Sequence, residues 1–271
     1  MMRSLWSAAS GMISQQTNVD TIANNLANVN TTGYKTEKAE FKSLLYQTLQ
    51  TRTTTANGEE KPIPAQVGLG TRTVAITSNF GQGALTASES NTAFAINGDG
   101  FFAVRGADGN TYYTRNGDFK LSIATDGLML ATSEGYAVLD SNGEPIIFPD
   151  NVTASNLEVA GDGSFGYRDG ENAYVPLNIN MGVFQFNNPA GLEKLSSGLF
   201  NVTEASGEAL NEATTPNLQL SEIRQKYLEA SNVQVADEMV NLIVAQRAYE
   251  MNSKAIQATD EMLGQANQLK R

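Results

Sequence analysis

The chain has 271 residues, 41% of them hydrophobic, which supports buried cores over one to three domains without approaching the composition of a membrane protein. Its 18 basic and 29 acidic residues give a formal net charge of −11, which disfavours nucleic acid and anionic lipid as direct partners because both require a basic face. With no Cys and no His, thiolate nucleophiles, Ser-His-Asp and Cys-His relays and ordinary structural zinc sites are excluded, and no catalytic residue, cofactor or metal is expected.

The opening Met1–Ser10 carries one positive charge and no apolar run of secretory length, so neither a cleaved signal peptide nor a membrane-inserted segment is expected. From Ser4 to about Asn28 apolar residues recur in steps of seven, at Leu5, Met12, Val19 and Leu26, which predicts a helix of ~25 residues, ~38 Å long. It should stop within Asn28-Val29-Asn30-Thr31-Thr32-Gly33, where Gly33 suits a left-handed backbone. Phe41, Leu44, Leu45 and Leu49 then predict a second, short amphipathic helix. Residues 50 to 70 are polar and include Pro62 and Pro64; with little to bury, they read as an extended or mobile arm.

From Gly70 to about Val202 the texture changes to short β-prone runs such as Phe101-Phe102-Ala103-Val104 and Thr111-Tyr112-Tyr113-Thr114. Turn dipeptides punctuate them at Asp108-Gly109, Asn116-Gly117, Asp126-Gly127, Asn142-Gly143, Asp162-Gly163 and Asp169-Gly170, the pattern of an antiparallel sandwich or barrel. Gly161-Asp162-Gly163-Ser164-Phe165-Gly166 matches a dinucleotide fingerprint in letters only. The fingerprint needs a helix N-terminus next, and another turn follows instead. Asp126, Asp140, Glu144 and Asp150 could be paired on paper for glycoside hydrolysis, but acids scattered through turns are ordinarily solvated.

Helical periodicity resumes near Ser231, which with Gln234 would make a capping box, and runs to Leu269. One stripe is Val235, Met239, Leu242, Tyr249, Ile256 and Leu263; a second is Val244, Ala248, Met251, Ala255, Ala258, Met262 and Leu269. Two stripes demand two partners, either a neighbouring copy of the chain or, alternatively, the protein's own β domain. Among the polar residues of this helix, Glu250 and Lys254 stand four apart, the spacing of an ordinary ion pair. Trp6, the single tryptophan, is expected in helix packing, with an assembly hot spot or a membrane anchor as the alternatives.

Asn24-Asn25-Leu26-Ala27-Asn28-Val29-Asn30-Thr31-Thr32-Gly33-Tyr34-Lys35 resembles the N-terminal signature of the bacterial flagellar rod and hook family. Ser231-Asn232-Val233, running on to Gln246-Arg247-Ala248-Tyr249-Glu250 and Ile256, resembles its C-terminal counterpart. Arg3-Ser4-Leu5-Trp6, Gly98-Asp99-Gly100-Phe101-Phe102 and the stretch from Tyr227 to Leu263 look most like distal-rod members, with proximal rod proteins as the rival reading. The resemblance implies an α+β fold in which long terminal helices form a coiled-coil assembly domain around a central antiparallel β-rich domain. The expected division is 1–34 with 226–271, 35–92 with 206–225, and an outer β domain at 93–205.

The resemblance further implies a non-enzymatic subunit that polymerises into a helical homo-oligomer, a rigid hollow shaft carrying torque to the hook. Its implied partners are proximal rod subunits, the hook protein, the surrounding periplasmic and outer-membrane rings and, in transit, the flagellar export apparatus. Assembly would rest on Leu5, Met12, Val19, Leu26, Val235, Leu242, Tyr249, Ile256 and Leu263. The polar arm at 47–68, with Pro62 and Pro64, is placed like the segment that separates straight rod from bendable hook in that family. A cell-wall glycosidase and a monomeric binding module are the remote alternatives.

Overall fold

A computed structural model describes residues 2–50, 65–124, 127–149, 152–168, 174–216 and 218–269. The fold is α+β: a helix α1 (Met2–Ala27) near one end, α2 (Val235–Gln268) near the other, and an antiparallel β-rich region between them. Pro62 and Pro64, together with Asp126, Asp150, Asp169 and Gly170, lie outside the described residues. No helix among the described residues is long and apolar enough to cross a membrane.

The chain divides into two compact units. The first comprises residues 1–27, 37–78 and 234–271, and the second residues 28–36 and 79–233. In the first unit, α1 and α2 pack on each other, and strands β1 (Glu37–Ser43), β2 (Tyr46–Gln50), β3 (Ala65–Gly68) and β4 (Thr71–Ser78) form two antiparallel ribbons. The short helix expected from Phe41, Leu44, Leu45 and Leu49 is therefore absent, and those residues lie in or beside β1 and β2. Their spacing fits a helix, but pairing of β1 with β4 and of β2 with β3 satisfies the backbone over long sequence separations, which local periodicity does not register.

The helix pair packs along a seam of small and polar residues. Ala8, Ser14, Thr21, Ile22 and Asn25 of α1 are buried, as are Glu238, Ala245 and Thr259 of α2. Thr21 and Thr259 donate their hydroxyls to the carbonyls of Thr17 and Ala255, four residues back, at 2.8 and 2.7 Å, so neither brings an unsatisfied group into the seam. A Cβ at Gly11 would meet Asn252 Nδ2 at 2.9 Å, so glycine there permits close approach of the two helices.

The expected capping box does not form. Helix α2 begins at Val235 after Gln234, which makes no side-chain cap, while the Ser231 hydroxyl accepts the Val233 N–H instead. Asp237 and Glu238 in the first turn place negative charge at the positive end of the helix dipole.

The second unit is built on a sheet of ten strands among the described residues. Its main path runs Ile147–Phe148, Gly127–Ala131, Ala137–Val138, Phe101–Arg105, Thr111–Thr114, Leu199–Asn201 and Glu193–Lys194, all pairs antiparallel. Strand Phe101–Arg105 is buried on both faces because successive side chains point oppositely. Phe102 and Val104 join Phe94, Phe119, Phe148 and Phe165 in one core, while Phe101 and Ala103 join Tyr113, Phe186 and Phe200 in another. The rings meet edge to face, for example Phe102 with Phe119 at 5.2 Å and Tyr113 with Phe186 at 4.9 Å between centroids.

Gly109, Gly143 and Gly163 occupy turns with φ of +81°, +82° and +84°. Gly161, Gly163 and Gly166 of the fingerprint-like run fall in and around the turn that joins Leu157–Val159 to Ser164–Arg168. Asp140 accepts the backbone N–H groups of Asn142 and Glu144, each at 2.8 Å, in the role of a turn former.

Candidate functional site

Two places carry the signature residues, and each belongs to one unit. The first lies in the β unit, where the loop after α1 is locked by a buried charge cluster. Lys35 Nζ is 2.6 Å from Glu229 Oε1 and donates to the Gly81 carbonyl at 2.9 Å; Arg115 Nη1 reaches Glu229 Oε2 at 3.5 Å. Glu229 Oε1 also accepts the Gly83 N–H at 2.8 Å, and the Arg115 guanidinium sits 5.0 Å over the Phe101 ring. All three charged side chains are 1% exposed.

Burial holds the Lys35 ammonium below its usual range, aided by the Arg115 charge and opposed by Glu229; burial likewise lowers Arg115. Gly33 has φ +70°, and a Cβ there would lie 2.8 Å from the Arg115 carbonyl carbon and the Asn116 nitrogen, so both conformation and space require glycine. Its N–H donates to the Glu229 carbonyl at 2.8 Å.

Asn232 binds this region together. Its Oδ1 accepts the Thr36 N–H at 2.7 Å and the Thr36 hydroxyl at 2.5 Å; its Nδ2 donates to the carbonyls of Asn79 at 2.8 Å and Gly81 at 3.1 Å. Segments 33–36, 79–83 and 229–232 are thereby held at one point of this unit. Asn28 accepts the Thr31 N–H and hydroxyl in the turn that leaves α1, and Tyr34 is half-buried with its carbonyl accepting from Asn232.

The second place is the helical unit. Asn25, fully buried, imitates a neighbouring strand: its Nδ2 donates to the Glu37 carbonyl and its Oδ1 accepts the Glu37 N–H, both at 2.8 Å. The same Nδ2 reaches Glu238 Oε2 at 3.3 Å, tying β1 and the start of α2 to the end of α1. Asn24 is exposed and lies 3.5 Å from a Glu37 carboxylate oxygen.

Leu5, Met12, Val19, Leu26, Leu242, Ala248 and Ile256 are half-buried on the helix pair, whereas Val235, Tyr249 and Leu263 are exposed. A groove of about 420 Å³ opens between the helices, lined by Gln16, Val19, Gln246, Tyr249 and Glu250. Glu250 pairs with Arg247 at 3.2 Å, one turn back, and not through the expected spacing to Lys254; both partners are largely exposed. On the side of α2 away from the seam, Val240, Val244, Met251 and Met262 are at least half exposed and repeat at helical spacing, with Ala255 and Ala258 between them.

Sequence reasoning missed Glu229, Arg115, Glu238 and Asn79. Lys35 and Glu229 stand 194 residues apart, and no spacing rule connects them.

Comparison with known proteins agrees with these two places. Residues 5–35 match the model described as "Flagella basal body rod protein", residues 95–167 "Flagellar hook protein FlgE/F/G D1 domain", and residues 224–269 "Flagellar basal body rod FlgEFG protein C-terminal". The chain belongs to the flagellar basal-body rod family. It is 45% identical to "Flagellar basal-body rod protein FlgG" of Borreliella burgdorferi over 100% of both chains. It is 40% identical to the protein so named in Agrobacterium fabrum over 96% of this chain and 97% of that one, and 35% identical to that of Bacillus subtilis over 100% of both.

Proposed function

We propose that this protein is a structural, non-catalytic subunit of the distal part of the flagellar rod. In this reading it polymerises helically through its terminal helices into a straight hollow shaft that carries motor torque to the hook and conducts exported subunits. The observation that carries the reading is the uncovered apolar face of α2. Val240, Val244, Met251 and Met262 are 60%, 62%, 70% and 50% exposed, a stripe that a solitary soluble protein has reason to bury and that neighbouring copies would cover. Full-length relatives named as basal-body rod proteins support the identity of the polymer.

The coiled-coil register of Leu5, Met12, Val19 and Leu26 against Val235, Leu242, Tyr249, Ile256 and Leu263 belongs to the assembled state in this proposal. So do contacts with proximal rod subunits, the hook protein and the surrounding periplasmic and outer-membrane rings, and export through the flagellar apparatus belongs to the same reading. The arm around Pro62 and Pro64 would add a second grip that stiffens the shaft.

The test is a pair of charge insertions, Val244→Glu and Met251→Glu, introduced into the chromosomal copy. The expected outcome is a folded, exported protein, absence of swimming and basal bodies that lack the distal rod in electron micrographs. Normal swimming with full-length rods in both variants overturns the proposal.

A further inference from the structure

The groove between α1 and α2 offers a mixed lining, with Val19 and the Tyr249 ring as apolar walls and Gln16, Gln246 and Glu250 as hydrogen-bonding groups. At about 420 Å³ it falls in the range that takes a bulky ring with one polar atom. One turn apart near the start of α1, Arg3 is exposed and Trp6 is 71% exposed, the only tryptophan in the chain and the residue type that most often anchors an interface. Trp6 exposes an indole N–H that needs an acceptor once buried, which Gln16, Gln246 or Glu250 can supply.

Charge agrees with this match. Helix α2 carries Asp237, Glu238, Glu250, Asp260 and Glu261 against Arg247 and Lys254, so acids outnumber bases on it; Glu250 at the groove edge pairs with Arg247 through Oε2 alone, an exposed contact that leaves Oε1 for a second cation, and Arg3 is the one basic residue of α1. The patch and the groove lie too far apart on one chain to meet. Trp6 precedes Gln16 and Val19 by 10 and 13 residues, ~15–20 Å along a helix.

We infer that the groove at Val19 and Tyr249 receives Trp6 of a second copy of this chain, with that copy's Arg3 beside Glu250. The inference rests on the rod-subunit reading and adds the contact through which one copy grips the next. Donor patch and acceptor groove are different surfaces, so the contact is heterologous: each copy gives one and takes one, and repetition builds an open helix and not a closed dimer.

The chain's lack of cysteine makes a direct test available. Arg3→Cys and Glu250→Cys, singly and together, replace the chromosomal copy in the source bacterium, leaving Trp6 and the apolar walls intact. Basal bodies are then isolated, oxidised and run on a non-reducing gel. The expected result is a ladder of disulfide-linked multimers from the double variant and none from either single variant. A bond within one chain is excluded because Arg3 stands 13 and 16 residues before Gln16 and Val19, ~20–24 Å along the helix, against a Cα separation of about 7 Å at most.

Protein present in basal bodies without a ladder overturns the inference and leaves the rod reading intact. Absence of the cysteine-free parent from basal bodies overturns both. A second readout does not require a disulfide. Arg3→Glu or Glu250→Arg alone should lower incorporation into basal bodies and the combined exchange restore it, while Trp6→Ala should lower it about tenfold or more and Trp6→Phe much less. Unchanged incorporation in Trp6→Ala also overturns the inference.

Discussion

The β unit hides its large apolar side chains, whereas the helical unit displays them. Phe94, Phe101, Phe102, Phe119, Phe148 and Phe165 are fully buried, while Trp6, Ile13, Val240, Val244 and Met251 are each at least 60% exposed. The contrast extends to polar groups: the helix seam is partly Ser, Thr, Asn and Glu, whereas the β unit pairs its buried Lys35, Arg115 and Glu229 in one cluster and ties its buried Glu212 to Gln185 and Ser221. A core of interlocked rings can stand without neighbours, and a helix pair with a thin polar seam and a bare apolar side is half of an interface.

The sharpest way to break this contrast is to ask how little chain the β unit needs. A chain trimmed to residues 28–233 should melt as a cooperative unit, seen by near-ultraviolet circular dichroism. One trimmed to 35–225 should not, although it keeps all six of those phenylalanines. The shorter chain loses strand Tyr227–Glu229, which pairs with Leu85–Ala87, and deprives Lys35 and Arg115 of Glu229. Cooperative melting of 35–225 would show that the signature loop is a passenger on the β unit.

Within the full chain, Glu229→Gln should cost about 3–5 kcal/mol of β-unit stability in urea unfolding, because it strands two buried cations. Lys35→Met should cost less, since Arg115 and Glu229 still balance. The pH dependence has a definite sign. Lys35 is held below its ordinary 10.5, so in the window between its folded-state value and 10.5 the unfolded chain binds more protons. This residue's contribution to stability therefore rises with pH there, and Lys35→Met should flatten that rise.

Asn25→Ala tests the opposite unit and should cost about 2–3 kcal/mol, the penalty for leaving the Glu37 N–H and carbonyl without their partner. Amide exchange should speed up at the end of α1 and in β1 while the phenylalanine core stays protected. Loss of protection in both units together would make them one cooperative body and dissolve the contrast.

Local chemistry made much of the fold legible. Asp108-Gly109, Asn142-Gly143 and Asp162-Gly163 mark turns because glycine takes positive φ, and Phe101-Phe102-Ala103-Val104 is an unbroken apolar run because both sheet faces are buried. Both long helices announced themselves by period. Residues 41–49 misled because apolar residues at helical spacing also suit strands whose pairing partners come later in the chain. Of the signature loop, the residues were legible and their partners were not. Arg115 and Glu229, 114 residues apart, meet through tertiary packing that leaves no periodic trace.

The smallest expected effect lies at a surface turn of the β unit. Tyr112 donates its hydroxyl to Asp108 Oδ2 at 2.6 Å, and this bond is the main reason the Asp108 carboxyl sits below its ordinary range and the Tyr112 phenol above its own. Tyr112→Phe should move the Asp108 carboxyl back toward 3.8, read from its carboxyl carbon shift in an NMR titration. The sign follows from linkage: a depressed carboxyl stabilises the fold above its unfolded value and loses that contribution as pH falls through the folded one, so the variant should lose less on acidification. Because this hydrogen bond is exposed to solvent, stability at neutral pH should change little. A large loss would shift the β unit's strength from its ring core to its turns and remove the ground for treating it as self-sufficient.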